Sequence, residues 1–156
     1  MLLLSTTIRF ADLFLAALSV GAMFCVWLVF DPEGLDASSY VVLQQQGIRG
    51  LNIVMPLMGA ATIIATLAAA ALSRADRTRM IMLIVAAGTF VAAGLITRFL
   101  NQPINAIVMR WSPASVPDEW MALRDAWWRW HLARLACGLG GLTLVILAEI
   151  MRGMES

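Results

Sequence analysis

The sequence predicts an all-α integral membrane protein, a four-helix bundle that forms one domain over residues 1–156. The chain is 61% hydrophobic and only 13% charged, which is the composition of a membrane protein rather than a soluble domain. Four segments each hold about 20 mostly apolar residues, the length with which an α-helix crosses the hydrocarbon core. The predicted spans cover residues 8–30, 51–72, 80–100 and 132–151.

The predicted orientation follows from the charges between the spans. The link 73–79 contains three arginines and one aspartate, whereas the loop 31–39 carries only acids. Because basic loops stay in the cytoplasm, the positive-inside rule predicts that both termini are cytoplasmic. We therefore expect an integral protein of the bacterial inner membrane, with the loop 31–39 and the connection 101–119 on the outer side.

The second helix is predicted to be longer than the bilayer requires. Ser38 or Ser39 is suited to cap a helix that begins near Tyr40 and continues to Leu72. Such a helix is about 50 Å long, against a hydrocarbon core of about 30 Å. Its first turns are therefore expected to overhang the outer face of the membrane.

The connection after the third span is predicted to contain a short interfacial helix. Asn101 and Pro103 are expected to end the third helix, since a residue before proline disfavours the helical conformation. Apolar side chains then recur on one side of a short amphipathic segment that can lie in the interface as a lid. They are Ile104, Ile107, Val108 and Trp111.

The fourth helix is also predicted to begin outside the bilayer. The segment that starts at Ser115 has the character of a capping box, with Pro117 early and two acids in the first turn. The helix is then expected to run from Pro117 to about Arg152. Its overhang and that of the second helix would flank a shared outer vestibule.

Composition and residue counts exclude several classes of function. A formal net charge of +1 gives no basic field for nucleic acid. The chain has no catalytic triad, P-loop or dinucleotide fingerprint, and too few inward ligands for a zinc or di-iron site. His131 is the only histidine, so a bis-histidine haem is excluded while a haem held by one histidine stays an alternative. Cys25 and Cys137 are interpreted as free thiols in apolar helices, although similar predicted depths would allow a bridge.

Two polar helix faces are the candidate site. At about 100° per residue, six residues of the fourth helix fall within about 40° of one meridian. They are Trp120, Arg124, Trp127, His131, Arg134 and Gly138. The same construction on the second helix aligns Gln45, Arg49, Asn52 and Pro56. Ionisable groups at the mouth of a span need a partner, a cavity or a ligand, so the two faces are predicted to line one pocket.

Each of these residues also has a purely structural interpretation. Arginines near a span end can snorkel, His131 can be a satisfied core histidine, and Asn101 and Asn105 can be cap and turn residues. Asp12 lies one helical turn from Arg9, which predicts a local ion pair. Positive neighbours favour a neutral imidazole, the form that a base needs. Four tryptophans suit an interfacial aromatic belt: Trp111, Trp120, Trp128 and Trp130.

Between residues 101 and 134 the chain carries an Asn-x-Pro-x-Asn motif, spaced tryptophans and a His-x-x-Arg motif. This block resembles the signature of the anthrone oxygenase-like family of small four-span membrane proteins, and the similarity covers nearly the whole chain. The matching residues are Asn101, Asn105, Trp111, Pro117 to Trp120, Arg124, Trp128, His131 and Arg134. Helical geometry adds Trp127, Arg49 and Asn52, and it predicts that Trp127 and Trp128 do not both point inward.

The resemblance implies oxidation of an anthrone to an anthraquinone with molecular oxygen as co-substrate and without a metal or organic cofactor. A base, a cationic clamp and a dry aromatic slot would suffice for this reaction. In this reading His131 is the base, and Arg124 and Arg134 are the cationic clamp. Trp127 or Trp128 stacks on the flat substrate, and Asn101 and Asn105 orient its oxygens.

We expect the partner to be a flat, lipophilic, acidic small molecule bound among membrane lipid. One alternative is a non-catalytic module that binds a lipid, a quinone or a partner subunit, with arginines and tryptophans as headgroup anchors. Another is a haem or quinone redox protein in which His131 is a ligand. A homo-oligomer is compatible with the sequence.

Overall fold

The computed structural model describes residues 2–30 and 32–155, so Asp31 of the predicted acidic loop lies outside the described residues. Within these ranges the chain is all-helical and has no named strand. The helices are α1 (Leu2–Val29), α2 (Ala37–Leu51), α3 (Val54–Leu72), α4 (Arg77–Ile96), α5 (Gln102–Val108) and α6 (Trp120–Glu155). A π-helical turn, Thr97–Asn101, joins α4 to α5.

Four helical segments are long and apolar enough to cross a membrane. They are Leu3–Val29, Val54–Leu72, Arg77–Val108 and Trp120–Arg152. Large apolar side chains on these segments are exposed, among them Leu28 and Ile64, which are 67% and 68% exposed. Apolar outer surfaces of this kind suit a lipid surrounding. The predicted four-span membrane protein is therefore confirmed, while the overhang of two helices stays a prediction.

The second predicted helix is divided into α2 and α3. Asp36, rather than Ser38 or Ser39, caps α2, because its carboxylate accepts a hydrogen bond of 3.0 Å from the Ser39 amide. The helical path is interrupted at residues 52 and 53. Pro56 explains the interruption: it has no amide hydrogen, and in an α-helix its ring would clash with the carbonyl four residues earlier, at Asn52.

The third predicted helix does not end at Asn101 and Pro103. In the π turn the Gln102 amide donates to the Thr97 carbonyl, five residues back, and α5 follows directly with Pro103 in its first turn. The wider π turn accommodates the Pro103 ring, which would clash within an unbroken α-helix. The short helix α5 buries Ile104 and Val108 in an apolar cluster with Ile48 and Trp127, while its position at the membrane interface and its role as a lid stay predictions.

The fourth predicted helix begins three residues later than expected. The Ser115 amide donates to the Ser112 carbonyl at 3.0 Å, so Ser115 belongs to a turn and not to a capping box. The Trp120 amide donates to the Pro117 carbonyl at 3.1 Å, which makes Pro117 part of the turn that leads into α6. The helix continues past the predicted end at Arg152 to Glu155.

Two glycines lie where α6 packs closely on α1 and α4. A Cβ atom on Gly138 would lie 2.7 Å from the Met23 side chain, and one on Gly141 would lie 2.7 Å from the Phe90 ring. Small residues at these crossings let the helix backbones approach one another. The described thiols of Cys25 and Cys137 are free.

The predicted ion pair between Asp12 and Arg9 is wrong. Asp12 is buried against α3, where its carboxyl lies 2.6 Å from the Thr66 hydroxyl. Arg9 instead pairs with Glu149 on α6 at 3.7 Å. The long arginine side chain reaches a neighbouring helix, which positions along one helix do not reveal.

Candidate functional site

Two cavities lie among the helices near the end of the bundle at which α2 packs. We call the first the α2 cavity: it measures about 150 Å³ and lies between α1, α2, α3 and α6. The second, the α3–α4 cavity, measures about 270 Å³ and lies between α1, α3 and α4. Both are lined by Met23, Met55, Pro56, Thr97 and Arg134. Because these residues line both cavities, the α2 cavity and the α3–α4 cavity adjoin, and Arg134 is the charged side chain where they meet.

His131 and Arg134 are directly hydrogen-bonded. Spaced one turn apart on α6, they meet through His131 Nδ1, which lies 3.2 Å from Arg134 Nε and 2.9 Å from Nη2. Because a guanidinium group only donates, Nδ1 is the acceptor and the neutral ring carries its hydrogen on Nε2. His131 is completely buried and lines neither cavity.

The second ring nitrogen of His131 has no established partner. The ring lies within reach of the Met23 main chain, but Nε2 completes no hydrogen bond with any residue that the structure describes. A ring in this tautomer has no free lone pair, since Arg134 occupies the lone pair on Nδ1. The geometry therefore does not favour the predicted role of His131 as a base.

Two indole rings lie nearly parallel to the His131 ring. The His131 ring lies 5.4 Å from the Trp127 ring and 5.3 Å from the Trp128 ring, with interplanar angles of 4° and 20°. Both tryptophans thus contact His131, but Trp127 is buried and lines the α2 cavity, whereas Trp128 is half-buried and lines neither cavity. The Arg134 guanidinium lies 5.8 Å from the Trp127 ring centroid, within cation–π range.

Two of the predicted asparagines hold the Trp127 region in place. The Trp127 indole donates to Asn105 Oδ1 at 2.8 Å, and the buried Asn101 donates to the Trp127 carbonyl at 3.0 Å. Asn105 also donates to Asn52 Oδ1 at 3.4 Å. Asn52, Asn105 and Trp127 line the α2 cavity, whereas Asn101 lies behind its wall.

Arg134 has no carboxylate partner among the residues that the structure describes. The ion pairs in those residues join Arg9 to Glu149, Arg79 to Asp76 and Arg124 to Asp125. Among the residues that the structure describes, Arg134 donates only to His131 and, in a long contact of 3.5 Å, to the Thr97 hydroxyl. Charged groups inside a span are costly unless paired, so an unpaired guanidinium that lines a cavity is suited to an anionic ligand.

Arg124 does not join His131 and Arg134 as predicted. Its guanidinium pairs with Asp125 at 2.8 Å, donates to the Pro32 carbonyl at 3.4 Å and lies 5.0 Å from the Trp120 ring. The Trp120 ring in turn lies 5.5 Å from that of Tyr40, a buried residue of α2. Burial raises the pKa of the Tyr40 hydroxyl above its ordinary value. This group ties the start of α6 to α2, and none of Arg124, Trp120 and Tyr40 lines a cavity.

The remaining predicted residues lie at the edge of the site. The Trp111 carbonyl accepts a hydrogen bond of 2.9 Å from Gln45, and its side chain packs on the apolar cluster of Ile48 and Trp127. Arg49 is exposed and donates to Gln45 Oε1 at 3.4 Å. Neither Trp111 nor Arg49 lines a cavity.

Several cavity-lining residues were not predicted from the sequence. The α2 cavity includes Phe30, Gln44 and Gly47, and both cavities include Met23 and Thr97. Gln44 lies next to the predicted Gln45, and both are buried in α2. A polar residue among apolar ones was the sequence signal that could have identified Gln44 as a cavity residue. Met23 and Thr97 carry no signal, because such residues are common in spans.

Residues 46–144 match the family model described as anthrone oxygenase. The chain belongs to the anthrone oxygenase family. The matched region contains most of both cavities and all of the His131 and Arg134 pair. No curated protein and no solved structure gives a significant match to the chain.

To become a haem ligand, His131 would have to give up its contact with Arg134. Its Nδ1 is held by Arg134, its ring is flanked by Trp127 and Trp128, and it lines neither cavity. Ligation would require these groups to move. For a family of oxygenases, the site instead offers a cation, amide groups and aromatic walls next to apolar space.

Proposed function

We propose that the protein binds a flat, acidic, lipophilic aromatic molecule of the anthrone type and promotes its oxidation by molecular oxygen. The supporting observation is Arg134, a guanidinium without a described carboxylate partner that lines both cavities beside an indole. An enolate or phenolate oxygen would supply the missing negative charge. The family match supports an oxygenase-type role.

The proposed reaction converts one methylene group of the ligand into a carbonyl group. Two C–H bonds break, one oxygen atom of O₂ becomes the carbonyl oxygen, and the other leaves as water with the two hydrogens. Loss of the first proton gives an electron-rich enolate that reacts with O₂ without a cofactor. Arg134 would stabilise that enolate inside the helix bundle, where electrostatic interactions are stronger than in bulk water.

The proposed roles differ between His131 and the cavity-lining groups. His131 is a positioning residue, since it accepts from two nitrogens of Arg134 and fixes the guanidinium. The first proton passes to water, because the described lining residues of the two cavities include no carboxylate and no histidine. Asn52 and Asn105 would orient the ligand oxygens, and the Trp127 ring would pack against its flat face.

The cellular setting is part of the proposal. The positive-inside rule supports cytoplasmic termini and a site toward the outer leaflet of a bacterial inner membrane, since the arginine-rich link 73–79 lies at the opposite end of the bundle. A ligand of this class partitions into lipid and would reach the site from the bilayer.

Oxygen consumption by the purified protein tests the proposal. Native protein in lipid nanodiscs is expected to consume O₂ with anthrone and to release anthraquinone, detected by its absorbance. Arg134→Gln should lower kcat/KM at least about 100-fold, the effect of removing a group that stabilises a developing oxyanion. Arg129→Gln is the matched control, an exposed arginine on the same helix, and should change kcat/KM less than about twofold.

Two outcomes would contradict the proposal. One is a native protein that binds anthrone or membrane lipids but turns over no anthrone or hydroquinone, which would favour the non-catalytic binding module. The other is an Arg134→Gln protein that oxidises anthrone as fast as the native protein, which would remove the guanidinium from the chemistry.

A further inference from the structure

The α3–α4 cavity is mostly apolar, although hydroxyl groups, Arg98, Gln102 and Arg134 also line it. Ser19 and Thr62 are hydrogen-bonded to each other at 3.1 Å, and Thr62 also donates to the Met58 carbonyl at 2.9 Å. Thr97 donates to the Ala93 carbonyl at 2.9 Å. Because these hydroxyls are already satisfied within the protein, they do not call for polar ligand atoms. Most of the other walls are apolar: Met23, Met55, Pro56, Ile63, Phe90 and Ala93.

This apolar space continues from the charged junction of the site. Arg134, Thr97, Met23, Met55 and Pro56 line both cavities, so a ligand that contacts Arg134 from the α2 cavity has the larger cavity directly beyond it. The two spaces differ in chemistry. Three amide side chains, Gln44, Asn52 and Asn105, line the α2 cavity, whereas the α3–α4 cavity has one, Gln102, whose Oε1 accepts from the exposed Arg98 at 3.4 Å.

Three residues with little or no side chain are among those that line the α3–α4 cavity. Gly59 and Ala60 on α3 and Gly94 on α4 line it, and Ala60 and Gly94 are exposed on helices that span the membrane. A Cβ atom added to Gly59 or Gly94 would meet nothing within 4 Å. The cavity therefore has open space between α3 and α4 on its lipid-facing side.

We propose that the α3–α4 cavity binds an alkyl or prenyl substituent of the ligand whose aromatic head lies in the α2 cavity. The ligand would then be an amphiphile with an acidic aromatic head near Arg134 and an apolar tail that passes between Gly59 and Gly94 toward the lipid. This inference rests on the proposed function for the position of the head. It adds a subsite that selects for the tail.

Binding to variants of the two glycines tests this subsite. Anthrone and an anthrone with a linear octyl chain on an outer ring are titrated into nanodiscs under nitrogen, with quenching of tryptophan fluorescence as the readout. Gly94→Leu and Gly59→Leu should raise the Kd of the octyl compound at least about tenfold by filling the subsite, and that of anthrone less than about twofold. The comparison between variants in the same lipid cancels the partitioning of each ligand into the bilayer.

Gly88→Leu is the matched control. Gly88 also lies on α4, is exposed, has open space around its Cα and lines neither cavity. This variant should leave both Kd values within about twofold of the native values. Unchanged binding of anthrone by the other two variants shows in the same experiment that they are folded.

Three results would overturn the tail subsite. One is an equal rise in Kd for both ligands, another is no rise for either, and the third is tighter anthrone binding by Gly94→Leu together with loss of a copurified phospholipid. The third result would assign the cavity to a membrane lipid chain. Since binding is measured without oxygen, anthrone that binds but is not oxidised contradicts the proposed function alone.

Discussion

His131 and Arg134 occupy each other's hydrogen-bonding groups, and this restricts what each side chain can do. The imidazole gives up its Nδ1 lone pair, and the guanidinium is fixed beside the Trp127 ring. An Arg side chain loses much rotamer freedom when it is ordered, so an acceptor that orders it in advance favours binding of an anion. The pair thus acts as one preorganised cation.

Substitution of His131 distinguishes a positioning residue from a base. His131→Gln retains an acceptor for Arg134 and should keep kcat/KM within about tenfold of the native value, whereas His131→Leu should lose at least about 100-fold, as Arg134→Gln does. A base would be lost equally in both variants. The measurement is anthrone oxidation across pH together with the thermal midpoint of each variant. If His131→Gln lost activity as fully as His131→Leu while its thermal midpoint stayed unchanged, His131 would instead be the base of the reaction.

Residue positions on a helical wheel predicted some of these contacts and missed others. The contact between His131 and Arg134 follows from their spacing of three, and the proximity of Trp127 follows from their shared face. Arg124 lies on the same face, yet its side chain turns to Asp125 and the Pro32 carbonyl. A wheel gives the direction of a Cβ atom, whereas a long charged side chain selects its partner from neighbouring elements.

The helix crossings place the two cavities, and the glycines of α6 allow those crossings. Gly141 packs on the Phe90 ring and the Thr89 hydroxyl, while the adjacent Gly140 has no neighbour within 4 Å of an added Cβ. The close approach of α6 to α4 therefore depends on one glycine of the pair. This difference gives an internal comparison for the packing.

Gly141→Ala should destabilise the protein by about 1–3 kcal/mol, because the added methyl group overpacks the crossing with α4. Gly140→Ala should be neutral or stabilising by up to about 1 kcal/mol, since alanine is the better helix former and meets open space. Thermal unfolding in one detergent gives both values. Equal effects of the two substitutions would show that α6 does not approach α4 as closely as described.

Helix positions were predictable to the extent that hydrophobicity determines them. The four spans follow from long apolar runs, and the small-residue contact of α6 follows from its glycines. The break after α2 was missed, although Pro56 gives the signal through its clash four residues back at Asn52. The π turn was missed because the sequence shows a proline at residue 103 but not whether the helix ends there or widens around it.

The whole molecule combines apolar outer surfaces with the buried pair of His131 and Arg134. The orientation of the bundle in the membrane determines which leaflet would supply the proposed ligand. Ser115 and Ala75 are exposed residues at opposite ends of the bundle. If the positive-inside rule holds, Ser115 faces the outer side and Ala75 the cytoplasm.

Cysteine labelling tests this orientation. In a background with Cys25→Ser and Cys137→Ser, a membrane-impermeant maleimide should label Ser115→Cys in intact spheroplasts. Ala75→Cys should react only after permeabilisation, because the arginine-rich link is retained in the cytoplasm. The reverse pattern would place the site toward the inner leaflet and would leave the chemistry of the cavities unchanged.

The π turn at Thr97–Asn101 inserts one extra residue into the otherwise continuous helical segment formed by α4 and α5. One extra residue turns everything after it by about 100° relative to an unbroken α-helix. Asn101 and Asn105 owe their alignment with Trp127 to that rotation. Removing a single residue from the turn would restore a regular α-helix and rotate the Asn101 and Asn105 amides away from the Trp127 indole. The arrangement of these three side chains therefore depends on the number of residues in the helix as well as on their identity.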